Sequence, residues 1–285
     1  MSESSSGILY VVGTPIGNRG DLTSRALETL TTVAAIVAED TRHVQRLLAD
    51  GPGTRAERIS LNAHNENERI PTLMRRLAAG DSLAMVSDAG VPAISDPGGR
   101  LVAAAHGDGL PVRAVPGPSA VTAALSVAGL PANRFAFEGF LPTKGEARRA
   151  RLRAIARDPR TVVLFESPRR IAGLLAALAG ACGGDREAMV SRELTKRFET
   201  NRRGTLAELA DHFQATAGEQ RGELTVCVAG SPEPEAEVET ALNSDALLRA
   251  LLAELSPSRA ARVAARATGG RKNDLYQRAL ELSGS

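Results

Sequence analysis

A rigid turn rich in glycine and proline follows each of three predicted buried strands, and a predicted helix follows each turn. The turns read GTPIGN (residues 13–18), SDAGVPAISDPGG (87–99) and PGPSA (116–120). Their glycine spacing matches neither the GxGxxG dinucleotide fingerprint nor a P-loop. Because the carboxyl ends of parallel strands meet at one edge of a sheet, where ligands bind in such folds, we expect the three turns to converge on a small-molecule pocket.

Polar side chains in these turns have both a binding and a structural interpretation. Asp88 ends its predicted strand and is a candidate to accept hydrogen bonds from a ligand hydroxyl or amine. Asp96 precedes Pro97, an order typical of a helix N-cap followed by proline in the first turn. Ser119 can face a ligand or cap its helix. Any single turn could be a plain strand-to-helix connection, so the expected convergence is what favours a binding site.

The elements that must position these turns alternate between strand and helix. This alternation over residues 7–128 predicts a mainly parallel sheet with helices on both faces. The turn-rich GLPAN segment (129–133) indicates a domain boundary, and the pattern beyond it indicates a mixed α/β domain. We therefore predict an α/β protein with a loose tail (1–6), two α/β domains (7–130 and 131–230), an acidic linker (231–242) and a three-helix, helix-turn-helix-like extension (243–285).

Composition excludes several other classes of protein. The chain has 285 residues and a net charge of +2. It has only two cysteines, and its four histidines lack the spacing of metal ligands, so there is little support for a zinc site or a disulfide framework. Aromatic residues are only 3% of the chain, which leaves few rings for stacking single-stranded bases. No apolar stretch is long enough for a membrane span, and the N-terminus lacks signal-peptide character, so a cytoplasmic protein is expected.

Positive charge is concentrated in two zones, residues 142–160 and 256–278. The first has seven basic and two acidic side chains, and the second has six basic and one acidic. Such zones can bind a polyanion by releasing its counterions, or they can be solvated helix faces. The candidate RNA contacts in these zones are Lys144, Arg148, Arg149, Arg259, Arg262, Arg271 and Lys272, and Arg42, outside both zones, is a further candidate.

Longer motifs make the chain resemble a known family. In order and spacing, GTPIGN, AEDTR (38–42), SDAGVPAISDPG and PGPSA resemble the tetrapyrrole-methylase superfamily, whose members bind S-adenosylmethionine between two α/β domains. GFLPTKG (139–145), FESPRRI (165–171) and RELTKRFE (192–199) resemble more narrowly the branch that methylates the ribose 2′-oxygen of a cytidine in small-subunit ribosomal RNA. The resemblance covers about residues 7–230, and the C-terminal helices resemble a helical extension of that branch.

The resemblance implies a cofactor, partners and a site. S-adenosylmethionine would bind without a metal, and the partners would be small-subunit ribosomal RNA or the assembled subunit and a second copy of the chain. The implied cofactor-binding residues are Pro15, Ile16, Asp88, Ala89, Gly90, Val91, Ser119, Ala120, Phe165 and Leu194. Because a ribose hydroxyl is a poor nucleophile, a base or a nearby cation should help the transfer, and Glu166 and Lys196 are the candidate catalytic residues.

Two alternatives remain open at the level of the sequence. One is a methyltransferase of the same superfamily that acts on a porphyrin-like ring. The other is an RNA-binding protein that holds the cofactor without catalysis. The basic zones and the helical extension favour RNA over a free tetrapyrrole, and the polar residues of FESPRRI and RELTKRFE favour catalysis over binding alone.

Overall fold

Five parallel strands with intervening helices form the first half of the protein. The computed structural model describes residues 6–49, 53–216, 221–232 and 236–283. The first sheet has the order β3-β2-β4-β1-β5, with every neighbouring pair parallel. Its elements are β1 (Leu9–Val12), α1 (Ser24–Thr32), β2 (Ala35–Ala38), α2 (Thr41–Leu47), β3 (Glu57–Ser60), α3 (Glu66–Ala78), β4 (Leu83–Val86), α4 (Gly99–Gly107), β5 (Val112–Val115) and α5 (Ala120–Ala128).

A mixed sheet of order β6-β7-β10-β8-β9 forms the second half. Only β6 and β7 are parallel; the other pairs are antiparallel. Its elements are β6 (Phe135–Phe140), α6 (Gly145–Arg157), β7 (Thr161–Glu166), α7 (Ile171–Cys182), β8 (Glu187–Arg192), β9 (Thr200–Thr205), α8 (Leu206–Ala215) and β10 (Leu224–Val228). The α/β class predicted from the sequence is confirmed.

Helix α5 packs on the second sheet and so joins the two halves. Its apolar residues Val121, Ala124 and Leu125 lie in one buried cluster with Val163 of β7 and Cys227 of β10. The opposite face of the second sheet packs on α6, α7 and α8. Both sheets therefore lie in one compact unit, Met1–Gly230, and the boundary predicted at residue 130 falls between α5 and β6.

Three helices form a second compact unit, Ser231–Ser285. They are α9 (Ala236–Leu252), α10 (Pro257–Thr268) and α11 (Lys272–Ser283). Leu248, Ala260, Ala264 and Leu275 are buried together and form its core. Helix α9 begins within the segment predicted as an acidic linker, which is therefore helical from Ala236 onward. Most of the predicted N-terminal tail, residues 1–5, lies outside the described residues.

The start of α4 differs from its predicted start. The helix begins at Gly99, and the N-cap position is Gly98, which has a left-handed φ of 111°. The prediction that Asp96 caps this helix is therefore wrong. Gly98 has no room for a side chain, because an added Cβ would lie 2.3 Å from Sδ of Met85. Close packing on β4 thus displaces the cap from the aspartate to the glycine.

Candidate functional site

The three glycine- and proline-rich turns converge, as the sequence predicts. Thr14 and Gly90 form an antiparallel bridge, in which the Thr14 amide donates to the Gly90 carbonyl at 2.8 Å and the reverse bond is 3.1 Å. A Cβ on Gly13 would lie 2.7 Å from the backbone nitrogen of Gly117. The glycines at these positions therefore allow the first turn to contact the other two, backbone against backbone.

The long turn after β4 is held in an irregular conformation. Four of its residues have left-handed φ angles: Gly90 (78°), Ala93 (66°), Ser95 (68°) and Gly98 (111°). Glu66 of α3 is 6% exposed, and its Oε1 accepts a 2.9 Å hydrogen bond from the Gly98 amide. This buried carboxylate thus fixes the end of the turn where α4 begins.

A cavity of about 390 Å³ opens beside these turns, with residues of both sheets in its lining. This volume lies within the range of small-molecule sites. Of the predicted site residues, it brings together Ile16, Asp88, Ala89, Gly90, Val91, Ser119, Ala120, Phe165 and Glu166. Pro15, Leu194 and Lys196 are not part of its lining. Leu194 is 8% exposed and packs in the apolar cluster beneath Ile16.

A further group of lining residues is not among the site residues predicted from the sequence. Ile94, Ser95, Asp96, Val121, Phe140, Ser167, Pro168, Gly222, Glu223, Leu224 and Thr225 complete the cavity. Several lie in motifs quoted for the family resemblance, so GFLPTKG and FESPRRI could have indicated them. Residues 222–225 have no motif; β10 is brought between β7 and β8 only by the fold of the second sheet.

Glu166 is a buried carboxylate whose two oxygens are both engaged. It is 2% exposed; Oε1 accepts from the Ser167 amide at 2.7 Å, and Oε2 accepts from Arg170 at 2.9 Å. Arg170 also donates to the Leu141 carbonyl at 2.9 Å. Glu166 therefore ties the Ser167–Pro168 wall of the cavity to the segment that follows β6.

Lys196 lies near the rim of the site in an ion-pair network. Its Nζ is 2.8 Å from Glu193 and 3.3 Å from Glu223, and Glu223 lines the cavity. Partial burial by itself would lower the pKa of Lys196, but the hydrogen bond with Glu193 and the charge of Glu223 outweigh it, so the pKa is raised. Lys196 therefore stays an ammonium group at neutral pH and cannot act as a base.

The acidic residues of the long turn lie close to other acids. Burial is the main cause that raises the pKa of Asp96, and the charges of Glu39 and Asp88 add to it, while a hydrogen bond with Ser87 opposes it. One oxygen of Asp88 accepts from the Asp40 amide at 3.3 Å. Both Asp88 and Asp96 line the cavity and offer acceptors to a bound ligand.

The two basic zones differ in how far their charges are neutralised. In α6, Glu146 pairs with Arg149 at 2.8 Å and with Arg153 at 2.5 Å, while Arg148 donates to the Pro142 carbonyl at 3.1 Å. In the C-terminal unit, no ion pair within the described residues involves the exposed Arg259, Arg262, Arg271 or Lys272. The C-terminal zone therefore carries more uncompensated positive charge.

Arg42 is exposed but paired. Its guanidinium is 2.8 Å from Asp40, which caps α2, and the side chain remains 84% exposed. The hydrogen bond with Arg42 lowers the pKa of Asp40 to about 2.

The part of the chain that the structure describes contains no helix long and apolar enough to cross a membrane, and it contains no cluster of three or more metal-binding side chains.

Comparison with family models matches almost the whole chain. Residues 8–210 match the model "Tetrapyrrole (Corrin/Porphyrin) Methylases", and residues 234–283 match the "RsmI C-terminal HTH domain". Two relatives are each named "Ribosomal RNA small subunit methyltransferase I". The one from Mesorhizobium japonicum is 48% identical and covers 96% of this chain and 92% of its own. The one from Pseudomonas aeruginosa is 47% identical and covers 98% and 99%.

Solved structures share the fold of the first unit. A cobalt precorrin-4 methyltransferase superposes with a TM-score of 0.59 at 20% identity, over 78% of this chain and 94% of its own. A Thermus thermophilus uroporphyrin-III C-methyltransferase, crystallised with S-adenosylhomocysteine, gives 0.54 at 21% identity, over 78% and 97%. At these identities the likeness establishes the architecture alone.

Proposed function

The chain belongs to the tetrapyrrole methylase family, and from this we propose that it transfers the methyl group of S-adenosylmethionine to small-subunit ribosomal RNA. The acceptor we propose is the ribose 2′-oxygen of a cytidine. The observation that carries the proposal is the cavity where the three turns meet, in a chain whose Mesorhizobium japonicum and Pseudomonas aeruginosa relatives are named as small-subunit ribosomal RNA methyltransferases.

The residues of the cavity suit S-adenosylmethionine. A mostly apolar wall that includes Ile16, Val91 and Phe165 can hold a cofactor by shape. Ser119 occupies the N-cap position of α5 but makes no capping hydrogen bond, so its hydroxyl is available to a ligand. Gly90 lets the long turn after β4 pack closely on Ile16, because a Cβ on Gly90 would lie 3.3 Å from Cγ2 of Ile16. Pro15 and Leu194 are buried and do not line the cavity, so they would support this wall rather than contact the cofactor.

The protein has mainly to position the reactants, because the sulfonium of the bound cofactor already supplies an activated methyl group. The cofactor would supply the methyl group: a C–O bond to the ribose oxygen would replace the S–CH₃ bond, and the hydroxyl proton would pass to a base. Asp88, Asp96, Glu166 and Glu223 are the carboxylates in the lining that can receive this proton. Both oxygens of Glu166 already accept a hydrogen bond, from Ser167 and from Arg170, and Lys196 already has its proton.

We therefore assign different roles to the two candidate catalytic residues. Glu166 would hold the Ser167–Pro168 wall against the acceptor, and its proposed effect on methyl transfer comes from that geometry. Lys196 would hold Glu223 at the rim and place a positive charge near the entering RNA. Both roles predict a slower transfer step with little change in cofactor affinity.

RNA is favoured over a free tetrapyrrole by the C-terminal unit. Its exposed Arg259, Arg262, Arg271 and Lys272 suit a phosphate backbone. Arg42, Lys144, Arg148 and Arg149 are further proposed contacts, and the pairing of Arg42 and Arg149 predicts smaller contributions from these two. We also propose, from the family resemblance, that the protein acts in the cytoplasm as a homodimer, which light scattering of the purified protein tests.

Labelled S-adenosylmethionine tests the proposal when it is offered with three acceptors: small ribosomal subunits, naked ribosomal RNA and a uroporphyrinogen-type ring. Transfer to either RNA acceptor supports the proposed function. Transfer only to the ring supports the tetrapyrrole alternative. Binding of RNA and cofactor without any transfer supports the non-catalytic alternative.

A further inference from the structure

Three of the six phenylalanines of this chain form a row, and two of them, Phe140 and Phe165, line the cavity. The ring centroids of Phe137 and Phe165 are 4.9 Å apart, and those of Phe165 and Phe140 are 5.7 Å apart. Phe137 packs against the buried cluster beneath the cavity, whereas Phe140 is 58% exposed. The row therefore runs from the core to the solvent and ends in an exposed ring at the cavity.

An irregularity in β6 places Phe140 on this wall. Side chains three residues apart in a regular strand face opposite sides of the sheet. The register with β7 pairs Phe137 with Val163 and Phe140 with Phe165, so an extra residue between Phe137 and Gly139 brings both rings to one face. Such bulges re-aim side chains beside active sites.

Ile94 is presented to the same cavity by a strained backbone. It is 47% exposed, and its neighbours Ala93 and Ser95 both have left-handed φ angles, 66° and 68°. Left-handed φ angles in non-glycine residues cost free energy and are found at ligand clamps, and here they flank Ile94 on both sides. A large exposed isoleucine and phenylalanine that line one cavity make an apolar surface typical of a binding site.

Positive charge lies next to this apolar surface. The two residues after Phe140 are contacted by guanidinium groups: Arg170 donates to the Leu141 carbonyl at 2.9 Å, and Arg148 to the Pro142 carbonyl at 3.1 Å. Arg170 is also paired with Glu166 at 2.9 Å, so the positive charge here comes mainly from Arg148. An aromatic ring beside a cationic side chain suits a nucleotide, because the ring stacks on the base while the cation attracts a phosphate.

We propose that Phe140 and Ile94 form the acceptor subsite, which holds one unstacked nucleobase of the RNA with its ribose directed into the cavity. The inference rests on the proposed function and specifies its substrate state. An unstacked nucleotide can extend its ribose into the cavity while its base lies against Phe140 at the exposed edge. Phe140 then replaces part of the stacking that the base loses.

Four substitutions at Phe140 and its strand test the subsite. Stacking of one base on an aromatic ring is worth a factor of about 5 to 150. We expect Phe140→Ala and Phe140→Leu to lower kcat/KM for small ribosomal subunits by about that factor, and Phe140→Trp to stay within about threefold of the wild type. Phe135→Ala is the matched control, because Phe135 lies on the same strand and is 41% exposed but does not line the cavity.

Cofactor affinity, measured by calorimetry on the same variants, separates this proposal from a role of Phe140 in cofactor binding. We expect it to stay within about threefold in all four, which also shows that they fold. Wild-type kcat/KM in Phe140→Ala or in Phe140→Leu overturns the stacking subsite and leaves the proposed function intact. A loss of cofactor affinity in Phe140→Ala as large as its loss of kcat/KM also overturns the stacking subsite. Transfer by the wild type to a tetrapyrrole but not to RNA overturns the proposed function, and the subsite with it.

Discussion

The buried carboxylate of Glu66 is predicted to stabilise the long turn after β4, and removing it gives a quantitative test of that idea. Glu66 is 6% exposed and accepts a 2.9 Å hydrogen bond from the Gly98 amide, which is itself buried. In Glu66→Ala this amide loses its partner, and leaving a buried donor unpaired costs about 1–3 kcal/mol. In Glu66→Gln the side-chain oxygen can still accept the bond, so the loss should be smaller.

Glu68 provides a matched control for Glu66. Both are acidic residues of the first turn of α3, so both interact with the helix dipole, but Glu68 is exposed. Denaturant unfolding should show a loss of about 1–3 kcal/mol for Glu66→Ala beyond that for Glu68→Ala. Hydrogen exchange of the Gly98 amide should be faster in Glu66→Ala alone. Equal stability losses in the two alanine variants, with unchanged exchange at Gly98, would refute the reasoning.

Four further predictions concern the cofactor, the transfer step, RNA and pH. Asp88→Ala should weaken S-adenosylmethionine binding by roughly 1–3 kcal/mol, measured by calorimetry, because ligand donors lose their acceptor; unchanged affinity removes Asp88 from the site. Glu166→Gln and Lys196→Met should lower single-turnover methylation rates with the cofactor Kd within about threefold, and wild-type rates in both would contradict the roles assigned to them. Replacing Arg259, Arg262, Arg271 and Lys272 by glutamine should reduce the slope of log RNA affinity against log salt by about three, at roughly 0.7 per phosphate contact; an unchanged slope shows that these side chains do not contact RNA. Burial raises the pKa of Asp96, so the native state loses stability as pH rises through the unfolded pKa of about 3.9 towards the folded value. Asp96→Asn should therefore be more stable than the wild type at pH 7 but not below about pH 4, and a gain independent of pH would contradict this assignment.

The convergence of the three turns could be predicted from the sequence because it follows from local patterns. Strand, turn and helix alternate in the first half, and a parallel sheet brings the carboxyl ends of its strands to one edge. Glycines 13, 90 and 117 then mark where backbones approach closely, which the contacts confirm. Ile16, Asp88–Val91 and Ser119, which the family resemblance implies as cofactor-binding residues, line the cavity beside these turns, and their role in binding the cofactor stays a prediction.

The second half was harder to predict, because the strand order of its sheet and its irregular backbone depend on residues that are distant in the sequence. No apolar pattern predicts strand β9, because TNRRGT is a polar edge strand whose first four residues are exposed. Lys196 lies between two carboxylates rather than in the cavity lining, because Glu193 and Thr195 have left-handed φ angles that no periodic pattern indicates. The bulge that turns Phe140 towards the cavity is likewise set by the register with β7.

The most direct test of the central claim is mass spectrometry of the nucleosides of small-subunit ribosomal RNA after the purified protein has reacted with labelled S-adenosylmethionine and small ribosomal subunits. We expect the label to appear in 2′-O-methylcytidine at a single position of the RNA. Label in a base-methylated nucleoside, or no label in RNA while a tetrapyrrole ring is methylated under the same conditions, would contradict it.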